Sequence, residues 1–113
     1  DEVPLFDAGG QPRDFTVRSD IVDGIIGAAL YPGVGEVFNL GGGSETSLLN
    51  AIALAERVAG RKATLIRHDR QKGDVRHTRA SIDAARSQIG YAPRVGLEDG
   101  LARQWQWLRT LGY

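Results

Sequence analysis

Three groups of side chains in this sequence could do chemistry. The first is a basic run: residues 61–79 hold Arg61, Lys62, Arg67, Arg70, Lys72, Arg76 and Arg79 against Asp69 and Asp74. Seven basic groups against two acidic leave five net positive charges on one strand and the loop after it. Guanidinium groups suit a phosphate, because their planar fork pairs with two oxygens at once; the bland alternative is a solvated basic face. The second group is Gly41-Gly42-Gly43, placed after an apolar stretch and before a helical one. It fits neither G-x-G-x-x-G, since position 46 is Thr, nor the phosphate loop that ends in Gly-Lys-Ser/Thr. It reads as a tight turn, with an anion at the following helix N-terminus as the other physical option. The third is His68, Asp69, Asp74 and His77, which has metal-ligand types but sits among arginines that repel a cation, so no metal is expected. No Ser, His and Asp fall into a nucleophile motif and no two carboxylates are paired, so no catalytic set is assigned.

The elements that would hold these groups follow from periodicity and punctuation. Residues 1–12 are turn-rich, with room for a short extended entry, and Arg13 to Arg18 alternates like a short strand with Phe15 and Val17 on one side. Ser19 or Asp20 can cap a helix whose Ile21, Val22, Ile25, Ile26, Ala29 and Leu30 form one broad apolar face, and Tyr31-Pro32-Gly33 stops it. Glu36 to Leu40 reads as a strand. A helix from about Leu48 to Ala59 ends at Gly60, which is placed for the left-handed conformation. Lys62 to His68 reads as a strand, residues 69–80 as a polar ordered loop, and Ser81 as the cap of a short helix to Ile89 that Gly90 terminates. The last helix carries Leu97, Leu101, Trp105 and Leu108 at helical spacing, with Glu98 and Asp99 in its first turn and Arg109 in its last, as the helix dipole favours. Trp105 falls on the apolar stripe and is expected in the core; Trp107 is either a contact residue or a part-buried surface tryptophan.

Composition narrows the classes. A chain of 113 residues, 42% hydrophobic, is one domain's worth of polypeptide, and residues 1–113 show no linker, repeat or low-complexity segment. The 14 basic and 14 acidic residues exclude a generally nucleic-acid-coating protein, and no aromatics interleave the basic run. There is no cysteine, hence no disulfide framework and no thiolate chemistry. No stretch approaches the ~18 apolar residues of a membrane span, and no signal peptide is visible. There is also no methionine, even at position 1, for which an excised piece of a longer protein is the simplest expectation.

Four segments, taken in order, go further. Gly10-Gln11-Pro12-Arg13-Asp14-Phe15-Thr16 leads to Asp20-Ile21-Val22-Asp23-Gly24; Val37-Phe38-Asn39-Leu40-Gly41-Gly42-Gly43 is followed by Ser47-Leu48-Leu49; then come Asp69-Arg70-Gln71-Lys72-Gly73-Asp74-Val75 and Thr78; and Ala84-Ala85-Arg86 runs to Ile89-Gly90-Tyr91-Ala92-Pro93, Leu97-Glu98-Asp99-Gly100-Leu101 and Trp107-Leu108. Each motif alone is weak, but the ordered set resembles the C-terminal part of the extended short-chain dehydrogenases/reductases, the NAD-dependent nucleotide-sugar epimerases, dehydratases and decarboxylases. The resemblance covers nearly the whole chain.

It implies an α/β C-terminal substrate-binding lobe of short strands and about four helices. The Rossmann half, with its glycine-rich NAD loop and Tyr-x-x-x-Lys pair, is absent from this sequence: Tyr31, Tyr91 and Tyr113 lack a lysine four residues on. By the same resemblance, Arg13 is the arginine of an Arg-Asp-Phe/Tyr motif that contacts the substrate diphosphate, and Arg70 stands where a second diphosphate-binding arginine is placed, with Lys72 as a competing choice. Gln11 shapes the same rim and Asp74 orients the loop or an arginine, so the expected substrate-binding set is Gln11, Arg13, Arg70 and Asp74. The structural alternative for Arg13 is a pair with Asp14 or Asp20. Two positions depart from the family pattern: Arg18 stands where an apolar residue is usual, and Ser81 where aspartate is common. The implied whole is a cytoplasmic enzyme of isomerase or lyase type that uses NAD(P) held by the Rossmann half and acts on a nucleotide-diphosphate sugar. This chain alone would bind no cofactor and have no turnover. Its partners would be that half and, with an apolar face bare, a second copy in a homodimer; no nucleic acid or membrane is expected. The rival reading is a stand-alone, non-enzymatic nucleotide-sugar or protein-binding module.

Overall fold

The computed structural model describes residues 2–6, 9–69 and 80–113. In chain order they form β1 (Glu2–Phe6), β2 (Pro12–Arg13), α1 (Arg18–Leu30), β3 (Thr46–Ser47), α2 (Leu48–Ala59), β4 (Thr64–His68), α3 (Asp83–Ile89) and α4 (Leu97–Thr110). The expected α/β class and four helices are thus present. The strands make two ribbons rather than one sheet. β1 runs parallel to β4, from Glu2 opposite Thr64 to Phe6 opposite His68, and β2 is antiparallel to β3, with Pro12 opposite Ser47 and Arg13 opposite Thr46. Two-stranded ribbons are marginal in water on their own, so the helices must support them.

The second helix follows the sequence closely. Ser47 caps it, its Oγ accepting from the Asn50 N–H at 3.2 Å, and Gly60 ends it in the left-handed conformation at φ 66°. Its apolar side packs against α4, where Ala51 is buried. At the rim of that seam the Arg61 guanidinium lies 5.6 Å from the centre of the Trp105 ring, and Arg57 pairs with Glu98 at 3.5 Å. Trp105 is half-buried there rather than fully inside, and Trp107 is exposed.

The first helix departs from expectation. It begins at Arg18 after Val17, with no side-chain cap, and neither Ser19 nor Asp20 caps it. The stripe that packs is Asp20, Gly24 and Gly27, set against Leu40, Tyr91 and Ile89; a Cβ on Gly24 would lie 2.7 Å from Leu40 Cδ1 and 3.1 Å from Tyr91 Cδ1. The aliphatic side faces outward: Val22, Ile25, Ile26 and Leu30 are exposed, Ile25 at 57% and Leu30 at 79%. Close approach of the α1 backbone to Tyr91 needs small residues, and that requirement decides the face.

Two expected strands are not found. The alternation from Arg13 to Arg18 gives only β2, because Asp14 turns to the triglycine loop and α1 starts four residues later. Glu36 to Leu40 forms no ladder among the described residues; Val37 is exposed while Phe38 meets the Tyr31 ring edge-on, centroids 5.3 Å apart. The α3 helix is preceded by Ile82 and has no side-chain cap; the Ser81 hydroxyl donates to the Asp83 carboxylate at 3.4 Å instead.

The inner cluster is small: Ile82, Ala85 and Tyr91, with Phe38, Leu40 and Ile89 packed on it, while Leu5 is fully buried elsewhere under Gly9. The chain is a plate of 49 × 38 × 17 Å with a radius of gyration of 16.6 Å. A self-contained domain of this length has a radius of about 13 Å. Its accessible surface, 8032 Å², compares with about 6,000 Å² for a compact monomer of its mass.

Candidate functional site

Arg13 lies on β2, and its backbone position is set by the β2–β3 ladder together with the Leu48 N–H, which donates to the Gln11 carbonyl at 3.3 Å. The guanidinium is half-buried. Its Nη2 donates to Gln11 Oε1 at 2.7 Å and its Nη1 to the Pro12 carbonyl at 2.9 Å. Gln11 is itself buried, so Gln11 and Arg13, two of the four expected site residues, stand together in one braced unit. Arg70 and Asp74 lie outside the described residues, as do Lys72 and His77. At the start of the basic run, Arg61 covers Trp105 of α4 and Lys62 pairs with Glu56 of α2 at 3.6 Å.

Both carboxylates weighed as structural partners of Arg13 are engaged with backbone N–H groups. Asp14 Oδ1 accepts from Gly42 N at 2.9 Å and from Thr16 Oγ1 at 3.3 Å, while Oδ2 accepts from Gly43 N at 3.3 Å. The triglycine turn therefore does present amides to an anion, and that anion is the chain's own Asp14. Glycine is needed there for space, since a Cβ on Gly41 or Gly42 would fall 2.8 or 2.6 Å from an Asp14 carboxylate oxygen. This arrangement does not fit a dinucleotide phosphate cradle. Asp20, only 2% exposed, accepts from Arg94 N at 3.0 Å and Val95 N at 3.1 Å, tying α1 to the turn between α3 and α4.

Tyr91 closes the other side of the turn. Its buried hydroxyl donates to the Gly41 carbonyl at 2.7 Å. Burial pushes the phenol above its ordinary value near 10, and the negative charges of Asp20, Asp14 and Asp23 push it the same way. The hydroxyl therefore stays a donor throughout the physiological range. Sequence reasoning had assigned neither the Asp14 latch nor the Asp20 bridge. The available signal was three successive glycine amides with a carboxylate in the motif directly upstream of the helix.

No family model matches the chain. An uncharacterized UDP-glucose epimerase, YtcB of Bacillus subtilis, is 39% identical over 108 residues, covering 95% of this chain and 34% of that protein. The UDP-glucuronate 4-epimerase of Thermodesulfobacterium geofontis is 38% identical over 106 residues, covering 93% of this chain and 32% of that protein. The crystal structure of UDP-glucuronic acid 4-epimerase from Bacillus cereus, in complex with UDP-glucuronic acid and NAD, superposes with a TM-score of 0.88 at 32% identity over 97% of this chain and 36% of that one. The chain is homologous to the C-terminal part of the extended short-chain dehydrogenases/reductases. It spans about a third of the length of the curated relatives it matches. The motif that carries Arg13 includes β2, and the triglycine motif, bonded to Asp14, lies ahead of β3. No helix among the described residues is long and apolar enough to cross a membrane.

Proposed function

We propose that this chain is the nucleotide-sugar-binding part of an NAD(P)-dependent nucleotide-sugar epimerase, with Arg13 and Arg70 gripping the diphosphate of the substrate, Gln11 shaping the rim and Asp74 orienting the loop. The observation that carries this reading is the braced Arg13–Gln11 unit in a chain homologous over nearly its whole length to an epimerase crystallised with UDP-glucuronic acid. A guanidinium braced by a buried glutamine is ordered before any ligand arrives, and charge-assisted bonds to phosphoryl oxygens are among the stronger hydrogen bonds. Such remote binding energy holds a sugar in register for reaction elsewhere.

In the whole enzyme, NAD would be held by polypeptide outside this chain and would supply the hydride acceptor for the sugar carbon. The names of the relatives favour the isomerase reading over the lyase one. The exposed side of α1 and the thin plate support a lobe that works packed against that polypeptide. They weigh against a stand-alone module, which needs a closed core of its own. The location proposed for the whole enzyme is the cytoplasm.

UDP titrated into the isotope-labelled chain, followed by amide chemical shifts, tests the reading. The signals of Gln11 and Arg13 are expected to move with UDP and to stay in place with uridine, and Arg13→Ala weakens the UDP response about tenfold or more without removing it. Equal responses to UDP and uridine, or an unaltered UDP response in Arg13→Ala, would overturn it.

A further inference from the structure

We infer that Asp14 is a positioning residue for Arg13, a latch that fixes the diphosphate-facing arginine by locking the next residue of the chain onto the triglycine turn; this rests on the function proposed above. β2 is only two residues long, so its ladder alone holds Arg13 weakly. On the C-terminal side of Arg13 the chain leaves the ladder and would be free to swing before α1 begins. Asp14 stops that swing with two carboxylate bonds to Gly42 N and Gly43 N, and the Thr16 hydroxyl holds the carboxylate oxygen that accepts from Gly42. The turn it grips is itself fixed from behind by Tyr91 through the Gly41 carbonyl. Arg13 thus sits between two anchors, the ladder to β3 and the latch to the turn. The same carboxylate occupies the amides of an anion-attracting turn, so the turn is closed to an outside anion.

A double-mutant cycle on UDP affinity, read by amide shifts, separates positioning from general support. Asp14→Ala is expected to weaken UDP binding about five- to tenfold, and to cause no further loss in the Arg13→Ala background. The amide spectrum outside residues 11–16 and 41–43 serves as the control for collapse of the lobe and is expected to stay unchanged. Gly42→Ala, whose Cβ would sit 2.6 Å from Asp14 Oδ1, is expected to weaken UDP in the same direction without altering either residue of the pair. Asp14→Asn, which keeps one carbonyl oxygen for the Gly42 N–H, recovers part of the affinity. Should Asp14→Ala fail to fold, the Gly42→Ala and Asp14→Asn variants carry the cycle. An equal loss in both backgrounds, or unchanged UDP affinity in the Asp14 and Gly42 variants, overturns the latch. If Arg13→Ala itself leaves UDP affinity unchanged, the function reading falls instead.

Discussion

Helices α1 and α2 have similar lengths and similar aliphatic content, yet they use their surfaces in opposite ways. The α2 helix turns its apolar side to α4 and is capped by Ser47, as amphipathic spacing predicts. The α1 helix turns a carboxylate and two glycines inward and leaves Val22, Ile25, Ile26 and Leu30 uncovered. The hydrophobic pattern reads correctly where the partner surface lies within the same 113 residues. Where the inward contact is a close backbone approach to Tyr91 and Leu40, a glycine stripe takes the inner face and the aliphatic side is left outside.

The contrast can be broken most severely at Asp20. Asp20→Ala strands the Arg94 and Val95 N–H groups and is expected to cost about 3 kcal/mol in urea unfolding, far more than an exposed helix-cap aspartate would. Next comes Gly24→Val, which drives new carbons into Leu40 and Tyr91 and should cost about 2 kcal/mol by the same measurement. Unchanged stability in either variant would mean that the inner face of α1 is not a packed one.

Tyr91→Phe removes the bond to Gly41 and should lower stability by about 1 kcal/mol. It also tests a pH effect. The folded state holds the phenol protonated above its unfolded value, so this contribution is complete below about pH 10 and is lost as pH rises through the folded value. The wild-type chain should therefore lose stability more steeply than Tyr91→Phe in alkaline urea titrations. On α2, Ser47→Ala should cost up to about 1 kcal/mol through the lost cap, whereas Ser19→Ala on α1, where no side chain caps, should change nothing measurable in thermal melts.

The smallest effect on stability is expected from Ile25→Lys together with Ile26→Lys, within about 0.5 kcal/mol per site, because both side chains are already in water. The same pair should suppress concentration-dependent association in sedimentation velocity. Undiminished association would move the sticky surface elsewhere.

Much of the architecture was legible in the residues. Gly60 and Gly90 end their helices in the left-handed conformation, α2 and α4 occupy their expected ranges, and the strand expected from Lys62 to His68 pairs over Thr64–His68. The failures share a cause. The strand expected at Glu36 to Leu40 needs a neighbouring strand to exist, and alternation alone cannot supply one. The strand expected from Arg13 was cut short by one carboxylate, and Asp20 was read as a local cap although its bonds run to residues 94 and 95. Local spacing reports what a segment can do by itself; a side chain that satisfies amides many residues away leaves no periodic trace. For the site, Gln11 and Arg13 come together at β2, and the triglycine segment, expected as a tight turn with an anion at the following helix N-terminus as the other option, holds the chain's own Asp14.

The parallel pairing of β1 with β4 sets an order of events during folding. Glu2 meets Thr64, and Phe6 meets His68, only after both intervening helices have been made, so this pairing closes a loop of about sixty residues. Closing so long a loop is slow, and the neighbouring contacts of α2 form ahead of it. Strand β1 is therefore expected to dock after α2, and a probe on β1 should report a slower refolding phase than one on α2.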